Sequence, residues 1–70
     1  MITMEDKNND YIELNSFLKI NGLAPTGGQA KIIIRSEAVK VNNETETRNK
    51  RKLHQGDIVE INGKKFIVEI

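Results

Sequence analysis

The pair Asn62-Gly63 restricts what this chain can fold into more than any other two residues. It sits between Asp57-Ile58-Val59-Glu60-Ile61 and Lys64-Lys65-Phe66-Ile67-Val68, two runs rich in residues that suit a pleated surface. Asn-Gly tolerates the positive φ angles of a type I′ turn, whose twist matches that of the strands it joins, so a two-residue hairpin is predicted. The loop length then fixes the register. Ile61 falls opposite Lys64, Glu60 opposite Lys65 and Val59 opposite Phe66, which puts Val59, Ile61, Phe66 and Val68 on one core face. Glu60 with Lys65 makes an exposed pair worth roughly 0.2–1 kcal/mol, enough to help the register and little more.

The totals set limits on the rest. Seventy residues make one small domain with little room for a large internal cavity. With no cysteine there is no disulfide framework and no thiolate metal site, and the single His54 cannot assemble a zinc centre. No cofactor or metal is expected. The longest apolar run, Ile32-Ile33-Ile34, is too short to span a bilayer, and the polar start lacks the apolar region of a signal peptide. A cytoplasmic protein without membrane contact is the expectation. Residues 1–10 read as a flexible acidic leader and residues 11–70 as a single domain, with no repeat and no linker.

Within the domain, Tyr11-Ile12-Glu13-Leu14 suits a short strand leading into a helix. Leu14, Phe17 and Leu18 recur at helical spacing and predict a first helix from Leu14 or Asn15 to Asn21. Gly22 stops it in the left-handed conformation, Leu23 folds back, and Pro25 disfavours helical geometry at Ala24. Thr26-Gly27-Gly28-Gln29 fits a capping box that opens a second helix. There Ala30, Ile33 and Ile34 share one face, and Lys31 and Arg35 another. Glycines at its first two positions leave backbone N–H groups open to a phosphate, although the same pattern would serve an ordinary capped helix. Val39-Lys40-Val41 alternates as a half-buried strand, Asn42-Asn43 turns, and Glu44-Thr45-Glu46-Thr47 returns as a second extended piece.

That piece delivers the chain into Arg48-Asn49-Lys50-Arg51-Lys52, four cations in five positions in a protein whose net charge is only +1. Residues 1–13 sum to −3, residues 14–56 to +5 and residues 57–70 to −1, so the surface is polarised and not uniformly basic. A solvated loop and a polyanion site both fit the run itself. Leu53 is expected to anchor its far end in the core.

Taken in order, Leu14-Asn15-x-x-Leu18, Thr26-Gly27-Gly28-Gln29-Ala30-Lys31, Val39-x-Val41-Asn42 and Gly56-Asp57 resemble the alpha-L RNA-binding motif, the domain named after small-subunit ribosomal protein S-four. Glu46-Thr47-Arg48-x-Lys50-Arg51 adds a likeness to the small stand-alone bacterial members of the YaaA/YbcJ type. The resemblance implies an α+β fold, with two N-terminal helices packed on a small, mainly antiparallel sheet closed by the C-terminal hairpin. It further implies an RNA-facing surface made of Thr26, Gly27, Gly28, Gln29, Lys31 and Arg35 on the helix side, and of Arg48, Lys50, Arg51 and Lys52 on the loop side. Two departures stand out. Gly27 and Gly28 follow Thr26 where many relatives carry Arg, and Asn42-Asn43 replaces their Asn-Gly, a change Asn43 can accommodate in a left-handed turn.

The functional expectation is a non-catalytic module, a monomer, that grips the backbone of structured RNA, ribosomal or transfer RNA, free or within a ribosomal particle. With no Trp, and with Phe17 and Phe66 committed to the core, little sequence readout is expected. The alternative is a protein-interaction or ribosome-assembly factor whose basic face meets an acidic protein partner. Catalysis has the least support. His54 and Asp57 lie three apart, and Ser16 and Ser36 are present, yet nothing places a nucleophile, a base and an oxyanion site together.

Overall fold

In the computed structural model, which describes residues 11–70, the elements follow in the order β1 (Ile12–Glu13), α1 (Leu14–Ile20), α2 (Gly27–Arg35), β2 (Val39–Val41), β3 (Glu44–Thr45), β4 (Lys52–Leu53), β5 (Ile58–Ile61) and β6 (Lys64–Ile67). The leader read from residues 1–10 lies outside the described residues. β3-β2-β5-β6 form a four-stranded antiparallel sheet, and β1 pairs with β4 in a separate two-stranded ribbon. This is the α+β architecture expected of the chain.

The local signals account for most of the element boundaries. α1 ends in a Schellman arrangement: Gly22 has φ +74°, its N–H donates to the Lys19 carbonyl at 3.1 Å, and the Leu23 N–H reaches back to Leu18 at 2.8 Å. The helix therefore stops at Ile20, with Asn21 as its cap. α2 starts where the capping pattern put it, with the Gln29 N–H donating to Thr26 Oγ1 at 3.1 Å. The hairpin has the expected register, Val59 opposite Phe66, Glu60 opposite Lys65 and Ile61 opposite Lys64, with Asn62 and Gly63 at φ +54° and +78°. Asn42 and Asn43 turn between β2 and β3 with φ +52° and +73°, so Asn43 does take the left-handed place of a glycine.

The core is continuous between the layers. Leu14, Phe17 and Leu18 of α1 and Ala30 and Ile34 of α2 pack with Val39, Val41, Leu53, Val59, Ile61 and Val68, all no more than 7% exposed. Each large aliphatic side chain removed from water in this way contributes roughly 1.5–3 kcal/mol. Ile33 and Phe66 are half-buried against that cluster.

A side-chain clasp explains why Asn42 and Asp57 belong to one pattern although they are far apart in sequence. Asn42 Oδ1 accepts from the Ile58 N–H at 3.0 Å, and its Nδ2 donates to Asp57 Oδ1 at 3.2 Å. Asp57 Oδ2 in turn accepts from the His54 N–H at 2.8 Å. The β2 turn, the β5 entry and the exit of β4 are thus tied at one point. The spacing of His54 and Asp57, considered above for catalysis, is accounted for by this backbone contact.

One element differs from expectation. Lys52 is not in a loop: with Leu53 it forms β4, Glu13 lying opposite Lys52 and Ile12 opposite Leu53. Ile12 and Leu53 both pack on the core, which draws the end of the basic run into a paired strand.

Candidate nucleic-acid interface

The basic run becomes a structured turn because a carboxylate sits beneath it. Glu46 follows β3, and its N–H still donates to the Val39 carbonyl at 2.9 Å, so its place is fixed by the sheet. It is 7% exposed and is the one buried polar or charged residue among the described residues. Arg48 grips it with two prongs, Nε to Oε2 at 2.9 Å and Nη2 to Oε1 at 3.2 Å, and the Arg48 backbone N–H adds a bond to Oε2 at 3.0 Å. Arg51 Nη1 shares Oε1 with Arg48, donating to it at 2.6 Å.

Arg48's side-chain hydrogen bond is the main influence holding the Glu46 carboxyl at about 2. Burial opposes it, and the Arg48 N–H and Arg51 reinforce it. The same pairing holds Arg48 more firmly protonated. One carboxylate therefore orients two guanidinium groups, and part of each donor fork remains open. The Arg48 side chain is 73% exposed and that of Arg51 28%.

The turn is also joined to α1. The carbonyls of Arg51 and Asn49 accept from the N–H groups of Leu14 and Asn15 at 2.8 and 3.1 Å, so two donors at the helix start are satisfied by the loop backbone. Lys50 projects from the tip of the turn, exposed. Arg48, Lys50, Arg51 and Lys52 line one open depression of about 550 Å³. Four cations against Glu46 leave residues 46–52 with a net charge of +3.

The helix half lies on α2. Thr26 is exposed, and its hydroxyl is engaged by Gln29. Gly27 and Gly28 occupy the first two helical positions, where backbone N–H groups have no intrahelical acceptor. Neither glycine is there for space or conformation. A Cβ at Gly27 would meet nothing within 4 Å, one at Gly28 would meet only Thr26 Oγ1 at 3.9 Å, and neither φ is positive. Gln29, Lys31 and Arg35 are exposed. The four cations of residues 48–52 are thus brought together, while the helix residues lie along α2 and its cap. The two halves connect through α1, which the loop caps at its start and which leads into α2 at its end.

Sequence reasoning placed Glu46 in an extended piece and in a family pattern and missed its role. The available signal was an acid two residues before Arg48 and five before Arg51, at the end of an extended piece. Tyr11 and His54 also lie beside Lys52, a neighbourhood that only the β1–β4 pairing creates.

Two helices against an antiparallel sheet, with a basic turn anchored by a buried acid, define a small α+β domain with a concentrated cationic face. The chain belongs to the S4 domain family, whose model matches residues 6–69. Over 54 residues it is 43% identical to the "Probable ribosome maturation protein RlbA" of Bacillus subtilis (strain 168), covering 77% of this chain and 76% of that protein. It is 36% identical over 63 residues to the "Putative RNA-binding protein YbcJ" of Escherichia coli (strain K12), covering 90% of each.

Proposed function

We propose that residues 11–70 act as a single non-catalytic RNA-binding module. In this proposal the module grips the phosphodiester backbone of structured RNA, ribosomal or transfer RNA, as a monomer in the cytoplasm. Family membership and the name of the E. coli relative support RNA binding in general. The name of the B. subtilis relative favours a ribosomal RNA or particle. The observation that carries the proposal is the Glu46 anchor, which fixes two arginines at the edge of a depression that also holds Lys50 and Lys52. A loop kept only for solubility needs no buried carboxylate to orient its cations. Arginine forks with fixed planes suit phosphate oxygens, and the open N–H groups of Gly27 and Gly28, with Lys31 and Arg35, supply a second row of contacts.

The test is a salt titration against a structured RNA hairpin. With four to six phosphates contacted, log K should fall against log salt with a slope on the order of −3 to −5. Changing Arg48, Lys50, Arg51 and Lys52 to Glu together should abolish retention. A salt-independent affinity would overturn the proposal. The alternative is a basic face that meets an acidic protein, which the ribosome maturation name also allows. Unchanged RNA retention with loss of a protein partner in the same variant would establish it.

A further inference from the structure

The β1–β4 ribbon has two faces. Ile12 and Leu53 turn into the core, so alternation puts Tyr11, Glu13, Lys52 and His54 on the other side. The register that sets Ile12 opposite Leu53 brings Tyr11 across from His54. Their ring centroids are 6.4 Å apart at an interplanar angle of 51°, and Lys52 Nζ stands 5.0 Å from the centre of the Tyr11 ring. Tyr11 is 40% exposed, and Lys52 and His54 are exposed as well. Lys52 also lines the depression shared with Arg48, Lys50 and Arg51, so this one side chain links the aromatic pair to the cationic face. The other aromatics are committed elsewhere, Phe17 being buried and Phe66 half-buried against the core.

We propose that the outer face of the β1–β4 ribbon is a nucleobase-stacking site. An unpaired base of the bound RNA lies on the Tyr11 ring with its edge toward His54, and Lys52 turns from the ring to that nucleotide's phosphate. This inference rests on RNA being the ligand. An exposed cation–π contact is weaker than base–aromatic stacking, and the flexible lysine stem lets Nζ move while β4 stays paired, so the exchange is favourable. Glu13 lies opposite Lys52 on the same face and repels phosphates, which directs the RNA backbone toward the His54 end. Because stacking needs an open π-face, the nucleotide taken is one that extends or bulges from a helical segment. The ligand is thus a junction of duplex and single strand.

The chain has one tyrosine and no tryptophan, so its intrinsic emission reports on Tyr11. The experiment titrates the full chain with a blunt RNA hairpin whose strands are joined by an ethylene glycol linker, so that it has no loop bases, and with the same hairpin carrying a four-adenosine 3′ extension. The extension should tighten binding by roughly 5- to 150-fold, the range of one base–aromatic stack, and should quench tyrosine emission, which the blunt hairpin leaves unchanged. Tyr11→Ala should lose the gain yet bind the blunt hairpin as wild type does, and Tyr11→Phe, which keeps the ring, should retain the gain. Equal binding of the two hairpins by wild type, or a gain that survives in Tyr11→Ala, overturns the stacking site alone. If neither hairpin binds at low salt, the RNA-binding function fails and takes the stacking site with it.

Discussion

Replacing Glu46 by Gln keeps its shape and removes the charge that holds Arg48 and Arg51. A buried carboxylate whose folded-state pKa is depressed stabilises the fold fully above its ordinary value. That contribution is lost as pH falls through the folded value. For Glu46 the window runs from 4.5 down to about 2. Because Arg48 faces solvent and is partly screened, the contribution is on the order of 2 kcal/mol. Urea denaturation should show the Glu46→Gln variant less stable by about that amount at pH 7, with the difference from wild type vanishing toward pH 2. A constant difference across that window would mean that the pairing does not stabilise the fold. At Gly28 stability and binding should move in opposite directions. Gly28→Ala meets no steric conflict and gains helix propensity of up to about 1 kcal/mol, so thermal stability should rise. RNA affinity should fall, since the methyl group crowds the open N–H groups. Unchanged affinity would remove the start of α2 from the interface.

At the scale of elements, Asn42 ties the β2 turn to the start of β5 with two side-chain hydrogen bonds. Asn42→Ala also forces alanine into φ +52°, so a loss of roughly 1–3 kcal/mol is expected in thermal or urea unfolding. Elements governed by neighbours in sequence were legible beforehand: Gly22 ending α1, Thr26 with Gln29 opening α2, and Asn62-Gly63 setting the hairpin register. Lys52-Leu53 was not. β1 was expected as a short strand, but β4 is two residues long, too short for any alternation to register, and its partner lies about 40 positions away, so only the shared core brings Ile12 to Leu53. The same reason hid the grouping of Tyr11 with His54. For the candidate site, the cations could be read from composition, while their anchor could not. Glu46 looked like one more polar residue in an extended piece until the sheet fixed it under two arginines.

At the scale of the whole molecule, the acidic and basic segments lie in different parts of one short chain, and the cations gather on a surface that the core holds in place. No helix among the described residues is long and apolar enough to cross a membrane. The capping of α1 by the carbonyls of Arg51 and Asn49 bears on the energetics of recognition, because the loop is bonded to the fold before any ligand arrives. A disordered basic tail loses conformational freedom on meeting its partner, and that loss subtracts from affinity. This turn has little left to lose. Calorimetry should therefore give a small heat-capacity change, without the signature of coupled folding. Amide exchange at Leu14 and Asn15 should already be slow in the free protein and slow only slightly further with RNA. Rapid exchange there before binding would show a turn that orders on contact instead of one built in advance.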